Sequence, residues 1–408
     1  MKGQCLERYI HTSIGRVRRF ARFASLTACA AWALGSCVSE GSGTSEAVPE
    51  LTSPPAPVSP APAPVVSAAP GAPAASASPS ESATAPAVPT PAPARIQLRE
   101  ESDLTPGYGP VTAQAWRRDG ETLLTADFDR IQRWEVRSPR KLGEIAESGG
   151  LVVDFSLFEP ASGKARLAVA SRDGTVAVWD PDDGTRLASV PVDADCAAWS
   201  PDGSRLAVCR TDGRVLLLDW PGLKTAAELP ALPGEAPLRA AWLPSGKELV
   251  LGGASGIPAR WKSGEPSVRP LGTPPAAGTS GPDGTGRSAI RDLDVSPDGS
   301  RVAAAGSDGT VTVTHLTSGA VLLRFPAHRG AALCVAWSPD GSRLATGGED
   351  RQVRVWSASD GTPNAQQHHN SLPVRSVAWR PGGGFLSSGA GSMDLRAHTG
   401  ATILWQVP

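Results

Sequence analysis

A base, a hydroxyl and a carboxylate lie close together in one stretch of this chain: His328, Thr346 and Asp350, with Trp356 just beyond them. These are the ingredients of a nucleophilic triad, in which the carboxylate orients the imidazole and the imidazole takes the hydroxyl proton. His368 and His369, followed by Asn370, offer a second pair of imidazoles. A zinc site needs further ligands at matching spacing. No second ligand pair stands at such a distance, so the sequence predicts no metal there. His398, near Met393 and Asp394, has no legible role. There is no Gly-x-Ser-x-Gly elbow, no phosphate-cradling loop ending in Lys-Ser/Thr and no His-Glu-x-x-His. Gly252-Gly253-Ala254-Ser255-Gly256 lies where a strand should meet its turn. The recurring Asp-Gly pairs lack the graded oxygen ligands and closing Glu of a calcium loop. No cofactor is expected.

A repeat positions these groups. Its clearest copy runs from Cys334 to Ala345, continues through Gly347-Gly348-Glu349-Asp350, and ends at Val353-Arg354-Val355-Trp356. It reads as an alternating strand, a Pro-Asp-Gly turn, a second strand, an Asp turn and a third strand. Aligning the large apolar residue at the end of each first strand gives Trp116, Phe155, Trp199, Trp242, Val295, Trp337 and Trp379. The spacings are 39, 44, 43, 53, 42 and 42 residues, the long one holding a Gly/Pro-rich insertion at about 272–288. Ser-Pro-Asp-Gly-Ser recurs unaltered at 200–204, 296–300 and 338–342. In that turn Pro presets φ and Asp-Gly permits the reversal. Short-strand repeats near this period imply a radial array.

The repeat resembles the WD40 family. Third strands end in Arg133-Trp134-Glu135, Val178-Trp179-Asp180, Arg260-Trp261-Lys262, Val355-Trp356-Ser357 and Leu404-Trp405-Gln406, while Leu218 and Thr314 stand at the Trp slot in repeats 3 and 5. The resemblance implies an all-β fold, a seven-bladed propeller over residues 95–408. Closure needs a shared blade. Thr402–Gln406 is expected as the third strand of the last blade, with Ile96-Gln97-Leu98 as its outer edge; the alternative makes Asp394–His398 the third strand. The resemblance also implies that His328, Thr346, Asp350 and Trp356 form a structural hydrogen-bonded network inside blade 6 rather than a triad. Asp173, Asp212 and Asp308 hold the same turn slot in blades 2, 3 and 5, without a matching His. Blade 6 should be the best specified, and blades 1 and 4 the loosest, with Pro258 removing a ladder donor in blade 4. By family analogy Arg172, Thr211, Ser307 and Glu349, just before the turn aspartates, lie toward the partner-binding face. The function this implies is a non-catalytic protein-binding scaffold. The alternatives are a propeller enzyme of lactonase, glycosidase or peptidase type at the channel mouth, or an envelope-assembly accessory.

The N-terminal residues belong to a different regime. Lys2, Arg8, Arg16, Arg18, Arg19 and Arg22 precede an apolar stretch, Ala24–Leu34. It is too short to span a bilayer, which takes about 20 residues, but suits a secretory signal over residues 1–36. Leu34-Gly35-Ser36-Cys37 is similar to a bacterial lipobox, which implies lipid attachment at Cys37 and placement in the cell envelope, leaning to the outer membrane. An ordinary cleaved signal, a short uncleaved anchor, or a twin-Arg exporter signal at Arg18-Arg19 stay open. Residues 37–94 read as a disordered tether: 14 prolines lie between Pro49 and Pro93, without Lys or Arg. Pro-rich chain extends at about 3.1 Å per residue, so the tether could reach roughly 150 Å. Without residues 1–36 the chain keeps 33 basic and 39 acidic residues, a formal charge of −6. That balance argues against nucleic-acid binding, which needs a basic face. A closed ring leaves only short edges, so a monomer is expected. Of the body cysteines, Cys196 and Cys334 share a slot three residues before the strand Trp. That points to small apolar packing, although Cys209 on the neighbouring strand makes a bridge to Cys196 conceivable.

Overall fold

The computed structural model describes residues 96–97, 99–104, 109–229, 237–272, 288–368, 372–393 and 400–407. Residues 1–95, where the sequence suggested a signal, Cys37 and a tether, lie outside the described residues, as do the core of the insertion, His369, Asn370, Asp394 and His398.

The chain forms seven sheets around one axis, antiparallel except for one two-residue edge strand, a seven-bladed all-β propeller. The first strands are Val111–Trp116, Val152–Phe158, Ala194–Trp199, Pro237–Trp242, Ile290–Val295, Ala332–Trp337 and Val374–Trp379. Each packs on the next, and the seventh packs on the first. Side-chain alternation makes this possible, because successive residues of a strand face opposite neighbours. In the third strand of blade 3, Leu216 and Leu218 join the apolar cluster shared with blade 2, while Val215 and Leu217 join the one shared with blade 4. Seven such clusters fill the seven interfaces.

The Ser-Pro-Asp-Gly-Ser turns are locked from within. Asp202 accepts bonds from the Ser200 and Ser204 hydroxyls and the Ser204 N–H, and Gly203 takes φ +66°. The same bonds recur at Asp298 and Asp340.

Three expectations need correction. In blade 2 the residue paired like the strand-end tryptophans is Leu157, opposite Leu167, and not Phe155. Phe155 and Leu157 lie on the same face, so alternation could not choose between them, and blade 2 lacks the Pro-Asp-Gly marker that fixes register elsewhere. The last blade is closed by Arg99–Leu104, antiparallel to Gly400–Gln406, whereas Ile96–Gln97 pairs parallel with Pro363–His368 of blade 6. The closing strand escaped notice because outer strands carry little apolar period; in blade 2 the outer strand is largely exposed. Cys196 and Cys209 form a disulfide. They stand directly opposite one another on the first and second strands of blade 3. Cys334 keeps the packing role, because its opposite residue is Gly347.

Blade 4 is foreshortened. Its third strand is Ala259–Lys262 and its outer strand only Arg269–Pro270. Pro258, without an N–H, precedes the third strand. The missing length leaves a cavity of about 580 Å³ against blade 5, lined by Ile257, Leu271, Ile290, Thr312 and Val321 among others.

Candidate functional site

The set that looked catalytic is a closed internal network. His328 Nδ1 lies 2.8 Å from Asp350 Oδ1 and its Nε2 2.8 Å from Thr346 Oγ1, which also accepts the Trp356 indole N–H at 2.9 Å. One proton arrangement satisfies all three bonds: Nδ1–H to Asp350, and the Thr346 hydroxyl to Nε2. Arg354 Nη1 donates to Asp350 Oδ2 at 2.8 Å and to Ala327 O at 2.6 Å. Burial lowers the His328 pKa against the pull of Asp350, keeping the ring neutral, and the hydrogen bonds to His328 and Arg354 hold Asp350 far below the usual carboxylate range despite burial. The His328 side chain and Thr346 are both 0% exposed, so no substrate reaches this hydroxyl.

The network's outer half recurs where the chain supplies a hydroxyl. Trp134 donates to Thr125 at 3.0 Å and Trp405 to Ser388 at 2.6 Å. In blade 2 the hydroxyl slot holds Val169, and Trp179 Nε1 has no partner among the described residues. In blade 3 both slots are apolar, Val208 and Leu218. Blade 1 buries a polar pair of its own, with Gln132 donating to both oxygens of Asp127. Replacing Thr346 with Val would leave His328 Nε2 and Trp356 Nε1 buried without partners. The expected loss of stability is about 2 kcal/mol, read as a lower urea midpoint; an unchanged midpoint would mean that the tetrad contributes nothing.

The turn aspartates each close their own turn. Asp173 accepts from the N–H and hydroxyl of Thr175, Asp308 from those of Thr310, and Asp212 from the Arg214 N–H. Of the four residues before them, Arg172 is among the side chains lining the channel mouth, where it pairs with Asp195 at 2.7 Å, and Glu349 acts on Arg375 there. Glu349 accepts the Ala331 N–H. Thr211 is exposed, and Ser307 is half-buried with its hydroxyl unpartnered among the described residues. His368 is exposed and bonds Gln352. No three His, Cys, Asp or Glu side chains of the described residues are grouped so as to hold a metal ion.

Sequence reasoning missed the groups that line the channel. The bulge residues Thr112, Val153, Asp195, Arg291, Leu333 and Arg375 of six first strands line the channel mouth, and the residues that follow the bulges include Asp154, Arg239 and Asp292. Arg239 Nε lies 3.5 Å from Asp292 Oδ1, and Nη1 donates to Asp195 O at 3.2 Å. Asp154 accepts the Ala197 N–H and Asp292 the Val335 N–H, each across a blade boundary. Asp294 does the same for the Trp337 N–H. Burial raises Asp154 to about 6 and Asp294 to about 7, and pushes Asp292 up although Arg239 opposes it. Burial likewise raises Asp127 to about 7. Above this layer, at the end where the first strands begin, a mouth of about 270 Å³ is lined by Arg172, Arg291, Arg375, Leu333 and Met393 among others.

These carboxyls give stability an unusual pH course. A raised carboxyl contributes stability that is full below its unfolded value of 3.8 and lost as pH rises through 6 to 7. Asp298 and Asp340, held at about 2 mainly by serine hydroxyls, contribute stability present above 3.8 and lost as pH falls toward 2. His328 opposes the acid side as well, since its lowered pKa favours the neutral ring. Four raised carboxyls outweigh one imidazole, so the melting temperature should be higher at pH 5 than at pH 8. A scan rising steadily to pH 8 would contradict this.

The first-strand tryptophans do more than mark the repeat. Trp242 donates its indole N–H to Ala198 O at 3.0 Å, and Trp337, Trp379 and Trp116 donate to Asp294, Ala336 and Ala378 carbonyls at 3.1 Å. Each bond ties one blade to the blade before it, and the last closes the ring from blade 1 to blade 7.

Comparison with known proteins agrees with this geometry. The family model for the WD domain, G-beta repeat matches residues 191–219, 281–314, 319–357 and 361–398. No curated protein matches the chain. The matched segments fall in blades 3, 5, 6 and 7 and take in all three unaltered Ser-Pro-Asp-Gly-Ser turns; blades 1, 2 and 4 lie outside them. The chain thus carries WD40 repeats within a seven-bladed propeller.

Proposed function

We propose that the protein is a non-catalytic binding scaffold of the bacterial cell envelope, exported, lipid-anchored through Cys37 and presenting the channel mouth to protein partners. The carrying observation is where the polar chemistry lies. Among the described residues the hydroxyl–imidazole–carboxylate set of His328, Thr346 and Asp350 is sealed inside blade 6, while the mouth exposes different side chains from blade to blade. The Cys196–Cys209 disulfide supports export, because such bonds persist in oxidising compartments.

The test is in-cell cross-linking and capture of the tagged full chain, comparing wild type with Cys37→Ala. The expected result is one or two envelope proteins captured only when Cys37 is present, together with an acyl mass on the wild-type N-terminus. Capture that ignores Cys37, without that mass, would remove the anchor from the proposal. A second reading, an enzyme at the channel, draws on Asp154, whose carboxyl is raised to about 6. It requires a turnover that Asp154→Asn abolishes.

A further inference from the structure

The channel mouth has a charge and shape of its own. Four guanidinium groups converge on it: Arg172, Arg239, Arg291 and Arg375. Two are already spoken for, Arg172 by Asp195 at 2.7 Å and Arg239 by Asp292 at 3.5 Å. Arg375 is half-buried and gives only its Nε, to the Gly391 carbonyl at 2.8 Å. Neither Arg375 nor the exposed Arg291 lies within ion-pair distance of a carboxylate among the described residues. Burial lowers the Arg375 pKa by more than the attraction of Glu349 raises it. A desolvated guanidinium without a contacting carboxylate costs free energy that an incoming anion recovers. Between the arginines, Leu151, Val153, Leu333 and the exposed Met393 supply an apolar wall.

We propose that the mouth binds a short peptide segment in which an acidic side chain, or a terminal carboxylate, stands beside a small or medium apolar residue. The carboxylate bridges Arg291 and Arg375, and the apolar neighbour rests on Leu333 and Met393. A volume of about 270 Å³ takes one or two side chains rather than a folded domain. Arginine's planar fork suits a carboxylate held by two nitrogens. Asp195 and Glu349 stand close by, which disfavours a dianionic phosphate relative to a single carboxylate. The proposal rests on the scaffold reading and names its partner class.

Random peptides displayed on phage, selected against the full chain at low salt, test it. The enriched peptides should carry Asp, Glu or a free C-terminus next to an apolar residue. A synthetic copy should bind about tenfold more weakly to Arg291→Gln and to Arg375→Gln. Arg291 is exposed, so its variant folds as wild type, and a matching melting curve confirms this. Binding should also weaken as salt screens the arginines. Enriched peptides without acidic character, or peptides insensitive to both substitutions, would overturn this site and leave the scaffold reading standing. If no peptide is enriched, the site proposed here falls, while the scaffold reading stands or falls on the in-cell capture.

Discussion

Arg239→Leu should destabilise the propeller by about 3 kcal/mol at pH 8, the low end for breaking a buried ion pair because channel water reaches the group. Arg239 is 27% exposed and Asp292 23%, enough to discount the full penalty but too little for water to replace the lost partner. The guanidinium belongs to blade 4 yet contacts blade 5 through Asp292 and blade 3 through Asp195 O, and its charge acts on Asp154 of blade 2. Removing it leaves two carboxylates in the channel, each still bound to a backbone N–H of the next blade. Two further measurements separate charge from packing. The loss should shrink at pH 5, below the value of about 6 to which burial raises Asp154, so that this carboxyl takes up a proton; Asp292 is raised in the same direction. It should shrink again when Asp154→Asn and Asp292→Asn are added to Arg239→Leu. Equal losses at both pH values would place the effect in packing alone.

Opening the Cys196–Cys209 bridge is expected to cost about 3 kcal/mol, the entropy of a closed loop of this order of length. The two cysteines are 13 residues apart in sequence and 5.0 Å apart at Cα. Both are buried among Leu217, Leu229 and Trp242 at the boundary with blade 4. Urea midpoints with and without reductant, and for Cys196→Ala with Cys209→Ala, measure the term. Cys334 serves as an internal control, because burial raises its thiol pKa well above the ordinary value and keeps it unreactive in the folded state. Alkylation after unfolding without reductant should label Cys334 and leave Cys196 and Cys209 unmodified. Labelling of all three would show that the bridge is not formed.

Local marks made most of the ring legible. Pro-Asp-Gly turns and strand-end tryptophans are short-range signals, so the repeat number and strand order could be read from spacing, and the blade 6 tetrad from the family resemblance that those marks carry. Register failed at Phe155 because the turn after it runs from Glu159 to Ala165 without the usual marker, leaving size as the only guide between two residues on one face. The closing strand, Arg-Glu-Glu-Ser-Asp-Leu, has only Leu104 to bury, and one apolar residue has no period. The channel layer was illegible for a different reason. Asp154, Arg239 and Asp292 are separated by 85 and 53 residues and meet only because seven first strands converge on an axis. The bridge could be raised from sequence but not decided, since the shared slot of Cys196 and Cys334 favoured one role for both. Gly347 opposite Cys334 and Cys209 opposite Cys196 give them different roles.

The short outer strands of blade 4 give the ring an uneven stiffness. Indole ties join blades 4 to 3, 6 to 5, 7 to 6 and 1 to 7. Blades 2 and 5 carry Leu157 and Val295 at that position and the Trp199 indole has no partner among the described residues, so three joints lack the tie, among them the joint of blades 4 and 5. The same joint holds the cavity of about 580 Å³. Chain closure, usually the obvious place for a ring to part, is here backed by an indole bond and a full six-residue strand. The compliant joint is therefore set well away from the termini, between the blade that supplies Arg239 and the blade that supplies Arg291. Small opening there widens the bore and moves one rim arginine relative to the guanidinium beneath it, so the mouth can adjust its spacing without disturbing the stiffer arc of blades 6, 7 and 1.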